Sequence, residues 1–202
     1  MLHYTTIEPR TLQLLKQLQS EPIFSGCRLV GGTALALQLG HRNSVDLDLF
    51  GSIAASSEEI REILSAGHQI SIIKESKNIN IYVVDGVKVD IVNYRYGWLE
   101  DAVKDDIIVL ASISDIAAMK IAAIIGRGTK KDFIDLFFLL RTFSLQQILD
   151  LYMQKYPDGS MFIAMKSLTY FEDAESDPMP KMFENVSWET VKEFISDSVV
   201  NL

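Results

Sequence analysis

A mixed α/β core followed by a helical half is the fold class this sequence predicts, and three observations predict it. Between Cys27 and Tyr94, short apolar or alternating runs (CRLV, VDLDLF, QISIIKES, INIYVV, VKVDIVNY) interleave with helix-like segments and turn residues. From about Ser112 the pattern turns helical, with Ser114, Thr129, Ser144, Ser160 and Ser187 spaced as N-caps of successive helices. No repeat, low-complexity run or long linker divides the chain. Residues 1–110 are therefore expected to form the sheet-containing core, and residues 111–202 a helical half packed on it.

The elements follow in order. Leu12, Leu14, Leu15 and Leu18 recur at helical spacing behind Pro9, an acceptable early-helix position, so a helix opens the chain. Cys27 to Val30 reads as a strand entering Gly31-Gly32, Thr33 to Leu39 as a helix stopped by Gly40, and Val45 to Phe50 as an alternating strand. Ser57 caps a helix reaching about Ala66, where Gly67 ends it. Asp85-Gly86 supplies a tight hairpin between INIYVV and VKVDIVNY.

Composition narrows the functional classes. A hydrophobic fraction of 48% and a charged fraction of 23% over 202 residues are ordinary globular values. A formal charge of -8 argues against a general nucleic-acid coat, though a local basic patch is compatible with it. The single cysteine, Cys27, excludes an internal disulfide or a cysteine-rich zinc site and reads as a core residue. MLHYTTIEPR has no apolar run behind a basic region, and no stretch is long enough to span a membrane, so a cytoplasmic protein is expected.

Two carboxylates in an apolar strand carry the chemistry. Side chains alternate in a strand, so Asp46 and Asp48 should share one face, opposite Val45, Leu47 and Leu49. Carboxylates this close repel and call for a proton or a cation, and a hard divalent metal suits them. In VKVDIVNY the same alternation puts Asp90 with Lys88, opposite Val87, Val89 and Ile91, so a neighbouring strand would add a third carboxylate. Three can hold two metals around a nucleotide, the requirement of two-metal phosphoryl transfer. Gly31 and Gly32 precede a helix whose free N–H groups attract phosphate oxygens, and the Thr33 hydroxyl can add a donor. The plainer readings are a solvated strand face, an exposed hairpin residue and a tight turn.

Downstream, Lys120 and Arg127 are seven apart and would share a helix face, with Gly126 and Gly128 ending that helix. Lys131 and Asp135, and Asp132 and Asp135, can share a polar stripe on the next helix, while Phe133, Ile134, Phe137 and Phe138 serve the core. Spacing alone does not separate Asp132 from Asp135. A solvated face with local ion pairs is the competing explanation of these charges.

Residues 31–50, GGTALALQLGHRNSVDLDLF, resemble the signature of the AbiEii-type nucleotidyltransferases, members of the polymerase-beta-like superfamily and often the toxin half of abortive-infection or toxin-antitoxin pairs. AAMKIAAIIGRGTKKDFIDLFFLL is similar to the family's downstream lysine, arginine and KDxxDL element, and with VKVDIVNY it extends the matched motifs over roughly residues 31–140. No motif appears after about Leu145. One departure is Gly32-Thr33, where many superfamily members carry Gly-Ser; threonine keeps the hydroxyl.

The resemblance implies a polymerase-beta-like core and transfer of a nucleoside monophosphate from a nucleoside triphosphate (NTP) to an acceptor hydroxyl. The acceptor would be an RNA such as a tRNA 3' end, or a protein. It further implies magnesium or manganese, a cognate antitoxin, metal binding by Asp46, Asp48 and Asp90, triphosphate contact by Lys120, and catalytic support from Asp135. Gly31, Gly32, Thr33, Arg42, Arg127 and Lys131 complete the expected nucleotide contacts. His41 and Arg42 match the family's GHR, but basic residues there also suit the helix end at Gly40. In an otherwise acidic chain, Lys120, Arg127 and Lys131 are the nearest compensation for a triphosphate, so Lys120 and Asp135 are expected to face the aspartate cluster across one cleft. Two rival classes are another metal-dependent phosphodiesterase, and a non-enzymatic binding module on an inherited transferase scaffold.

Overall fold

The computed structural model describes residues 1–202. α1 (Pro9–Ser20) starts with its proline at the first helical position, where a missing N–H breaks no bond, and buries Leu14, Leu15 and Leu18. β1 (Cys27–Val30) runs directly into α2 (Gly31–Leu39), which Gly40 ends in left-handed backbone at φ +73°. β2 (Leu47–Gly51) and α3 (Ser57–Ser65) follow, and Ser56 forms a reciprocal capping box with Glu59 one residue before the expected cap. β3 (Ile70–Lys74), β4 (Ile79–Val84) and β5 (Val87–Asn93) make a meander. Its tight turn is at Asp85-Gly86, both at positive φ as such hairpins require.

A second hairpin, β6 (Val103–Asp105) and β7 (Ile108–Leu110), was not anticipated, because three-residue strands are too short to show alternation. The seven strands form one sheet in the order β3-β4-β5-β2-β1-β7-β6. Its pairs are antiparallel except β1 with β7 and β2 with β5.

Two of these pairings set up the site. β5 lies parallel to β2 with Asp90 directly opposite Asp48. On the other side, the β1 ladder stops at Val30 opposite Asp48, because Gly31 already belongs to α2. β2 begins at Leu47 rather than Val45, one residue beyond the end of the β1 ladder and paired there with β5 alone. Asp46 therefore lies in the loop before the strand, and the expectation that it shares a strand face with Asp48 is corrected.

The helical half comprises α4 (Ile113–Gly126), α5 (Lys130–Leu139), α6 (Leu145–Lys155), α7 (Met161–Leu168) and α8 (Trp188–Val200). α4 is its centre and touches α2, α5, α6 and α7. One cluster of 45 buried apolar residues, Cys27 among them, runs through sheet and helices alike. Ser144, Ser160 and Ser187 cap as expected, but Ser112 rather than Ser114 caps α4. Its hydroxyl accepts from the Asp115 N–H, while Ser114 turns to Glu100.

A buried ion pair holds the back of this half. Lys155 at the end of α6 places its ammonium 2.7 Å from Asp115 of α4 and 2.9 Å from the Gly97 carbonyl, with both side chains at 0% exposure. Asp115 also accepts from the Leu99 N–H at 2.9 Å and the Ser112 hydroxyl at 2.7 Å. Removing one partner of such a pair strands the other charge in the interior. Asp115→Ala is thus expected to cost about 3–5 kcal/mol of unfolding free energy in urea titrations. A loss under about 1 kcal/mol would mean that the pair does not join α4 to α6.

Candidate active site

Asp48 and Asp90 face each other across two central strands, both half-buried. Burial, followed by the charge of Asp90, raises the Asp48 carboxyl to about 6, even though Lys120 and Lys88 pull it down. Asp48 also lies against the start of α2. Gly31 has φ +68°, and a Cβ there would collide with the Asp48 carboxylate, so this position needs glycine for two separate reasons. A Cβ on Gly32 would collide with the Arg42 guanidinium.

Thr33 is turned inward. Its hydroxyl shares a 2.9 Å bond with the Ser44 hydroxyl and bonds the Asp46 carbonyl, and the residue is buried. The expectation of a Thr33 phosphate donor is therefore corrected: the hydroxyl is used to fix the loop carrying Asp46.

Around the carboxylates stands a wall of cations, and buried aspartates hold it. Asp135 receives Nε and Nη2 of Arg42 at 2.7 and 2.8 Å, His41 Nε2 at 2.8 Å and Lys120 Nζ at 2.6 Å, and its side chain is wholly buried. Asp132 receives Lys120 at 2.9 Å, Arg127 Nε at 2.8 Å and the Thr129 hydroxyl at 2.6 Å. Burial alone would raise both carboxyls, but these cations and hydrogen bonds outweigh it and hold both far below the usual carboxylate range. Burial likewise opposes the Lys120 charge, and Asp135 and Asp132 overcome it.

Three cavities open along this wall. The central one, about 180 Å³, has no apolar lining residue and is faced by Arg42, Lys88, Lys120, Arg127 and Lys131 over Asp46 and Asp48. A second, about 320 Å³, continues past Asp48 and Asp90 to an apolar end at Phe50, Met119 and Tyr156. The third, about 420 Å³, lies over Asp46 and Lys131 and is walled by residues 177–181. That last wall comes from the part of the chain without a motif. Asn43 N–H donates to the Lys181 carbonyl at 2.8 Å and Phe183 N–H to the His41 carbonyl at 2.9 Å, tying the tail to the loop that carries Arg42.

A family model described as "Nucleotidyl transferase AbiEii toxin, Type IV TA system" matches residues 13–198. The chain belongs to the AbiEii family of nucleotidyl transferase toxins. An uncharacterized protein of Aquifex aeolicus is 36% identical over 199 residues, covering 93% of each chain. JHP933 from Helicobacter pylori superposes with a TM-score of 0.60 at 21% identity, over 96% of this chain and 92% of its own. MenT4, a nucleotidyltransferase toxin from Mycobacterium tuberculosis, gives 0.61 at 15% identity, over 95% and 83%. At these identities the two structures speak to the fold, which is the nucleotidyltransferase fold. This AbiEii chain is thus a nucleotidyltransferase by family.

For this family member, the expected site residues fall into three groups. Asp48, Asp90, Gly31 and Gly32 meet at the cleft, with Asp46 at its edge and Arg127 and Lys131 at its rim. Lys120 reaches the cleft wall but is 4% exposed and bound to two carboxylates. Asp135 lies behind that wall and lines none of the three cavities, so a cleft-facing Asp135 is corrected to a positioning role through Arg42 and Lys120. Arg42 is likewise neither a free phosphate arm nor a helix cap; its guanidinium is fixed on Asp135. Sequence reasoning missed Ser44 and gave Asp132 no role of its own. The only sequence signal for Asp132 was its place in KDFID.

These pairs make Lys120 a structural as well as an electrostatic residue. Lys120→Ala leaves two buried carboxylates short of a cation and is expected to cost about 3–5 kcal/mol, as is Asp132→Asn at pH 7. Because the folded pKa of Asp132 is depressed, its contribution is complete above the ordinary value of 3.8 and is lost as pH falls below it. Urea melts should show a constant gap between wild type and Asp132→Asn from about pH 8 to 5, narrowing below about pH 4. A gap that widened in acid would contradict the assignment.

Proposed function

We propose that this chain transfers a nucleoside monophosphate from an NTP to an acceptor hydroxyl on RNA or protein, as the toxin partner of a cognate antitoxin. The observation that carries this reading is the central cavity, where five cations face two carboxylates at the start of α2. Such a combination suits a ligand that is strongly anionic and also brings cations with it, which describes a metal-bound triphosphate.

The donor set fits a divalent ion in its chemistry. Asp48 and Asp90 are paired carboxylates, and the Asp48 carboxylate makes no hydrogen bond or ion pair and is raised to about 6 by burial and its neighbour, the repulsion a cation relieves. The three aspartates do not form a cluster of metal-ligand spacing in this structure, and lysines sit on Asp46 and Asp90. Asp48 and Asp90, joined by Asp46, would hold magnesium or manganese, which supplies charge stabilisation at the reacting phosphate.

The chain's own groups do the rest. N–H groups at Gly32 and the start of α2 bind phosphate oxygens, and Lys120 and Arg127 offset the charge that builds on the leaving pyrophosphate. Asp135 keeps Arg42 and Lys120 aimed. As the acceptor oxygen bonds to the α-phosphorus and pyrophosphate leaves, the hydroxyl proton would pass to a cleft carboxylate. In this reading, residues 1–110 supply the carboxylates and residues 111–202 most of the cations.

Incubating the protein with each α-labelled NTP, magnesium, and RNA or protein fractions tests the proposal. Label should enter one acceptor class, and Asp48→Asn or Asp90→Asn should lower transfer by about 100-fold or more. A nonhydrolysable triphosphate should bind at least about tenfold tighter than the monophosphate. Equal binding would favour a phosphodiesterase instead.

A further inference from the structure

The cations of the cleft are held in two different ways. Arg42 and Lys120 are locked, with side chains 4% exposed against a wholly buried Asp135. Lys88 and Lys131 sit instead on the cleft carboxylates themselves. Lys88 Nζ is 2.6 Å from Asp90 Oδ1, with side-chain exposures of 40% and 20%, and Lys131 Nζ is 3.6 Å from Asp46 Oδ2, with 46% and 34%. Partly exposed ion pairs of this kind exchange more readily than the buried ones.

The position of Lys88 follows from strand geometry. It lies two residues before Asp90 on β5, so the pleat puts both on one face, and Lys88 lines the central cavity together with Asp48 and Arg127. Its ammonium thus stands beside Asp90, on the side where Asp48 faces it, which is where a bound cation would be needed.

We infer that Lys88 is a resident counter-ion that exchanges: it neutralises Asp90 in the free protein, gives that carboxylate up to the metal, and turns to the triphosphate in the central cavity. This rests on the metal and triphosphate reading given above. The physical basis is competition. A divalent ion with open coordination positions binds carboxylate oxygen more strongly than an ammonium does, and a displaced ammonium beside a triphosphate finds new acceptors. Lys88 should then oppose metal binding and favour nucleotide binding, two effects of opposite sign from one side chain. A lysine with only a structural role would shift neither, and an ordinary phosphate ligand would shift only the second.

The test uses the full chain with Lys88→Met, which keeps the aliphatic stem, and Lys88→Gln as a second neutral variant should the first fold poorly by circular dichroism. Titration with Mn²⁺ alone, followed calorimetrically, should show binding on the order of threefold tighter than wild type. Titration with a nonhydrolysable triphosphate at Mn²⁺ saturating for every variant should show binding on the order of tenfold weaker. Lys88→Arg should return both affinities toward wild type. Metal affinity that is unchanged or weakened in the neutral variants overturns the exchange. If wild type binds both ligands and the variants fail to split in sign, only this inference falls. If wild type binds neither, the proposed function falls with it.

Discussion

Burial of Asp135 among Arg42, His41 and Lys120 is the interaction on which the cleft depends. Its carboxylate comes from α5, while the groups it binds come from the loop after α2 and from α4. Three parts of the chain are thereby fixed at one point. Each of these charges is far from water, so none can leave without stranding another. Such a network adds little net stability over a well-packed apolar core, but it admits few alternative arrangements. Its product is a positive wall whose geometry is set before any ligand arrives.

The opposite wall follows a different rule. Asp48 and Asp90 are brought together by backbone pairing, and their closeness is relieved only by the half-exposed ammonium of Lys88 on Asp90. Gly31 adds to the crowding, because its bare α-carbon lets the Asp48 carboxylate approach the helix start. One wall therefore has its charges locked in the interior, while the other has an acidic pair in which Asp48 carries no side-chain partner and Asp90 only a half-exposed lysine. That contrast, more than the number of charged groups, distinguishes the cleft from a salt-bridged surface.

What the sequence made legible was whatever repeats locally. The period of two in VKVDIVNY placed Asp90 beside Lys88, the Asp85-Gly86 turn fixed the hairpin, and Gly40 marked a helix end. Where the physics was non-local, reading failed. Val45 to Phe50 alternates throughout, yet the strand starts at Leu47, near where β1 on one side gives way to α2. Arg42 and Asp135 lie 93 residues apart, so no window could join them, and Lys120 looked like a free phosphate ligand when it is a buried ion-pair partner. The structure brings Asp48, Asp90, Arg127 and Lys131 to adjoining cavities, but the place of Asp135 behind them was visible only once the helices had packed.

The tie between the tail and the Arg42 loop bears on when this protein becomes complete. Residues 177–181 form a wall of the cavity over Asp46, and the Phe183 N–H closes onto His41. A ribosome releases the chain from its N-terminus, so the aspartates, the glycines and even the buried Asp135 network emerge well before that wall does. The cleft is finished only once residues 177–183 have been made. For a nucleotidyltransferase this ordering keeps the growing chain short of a full site until that wall has emerged.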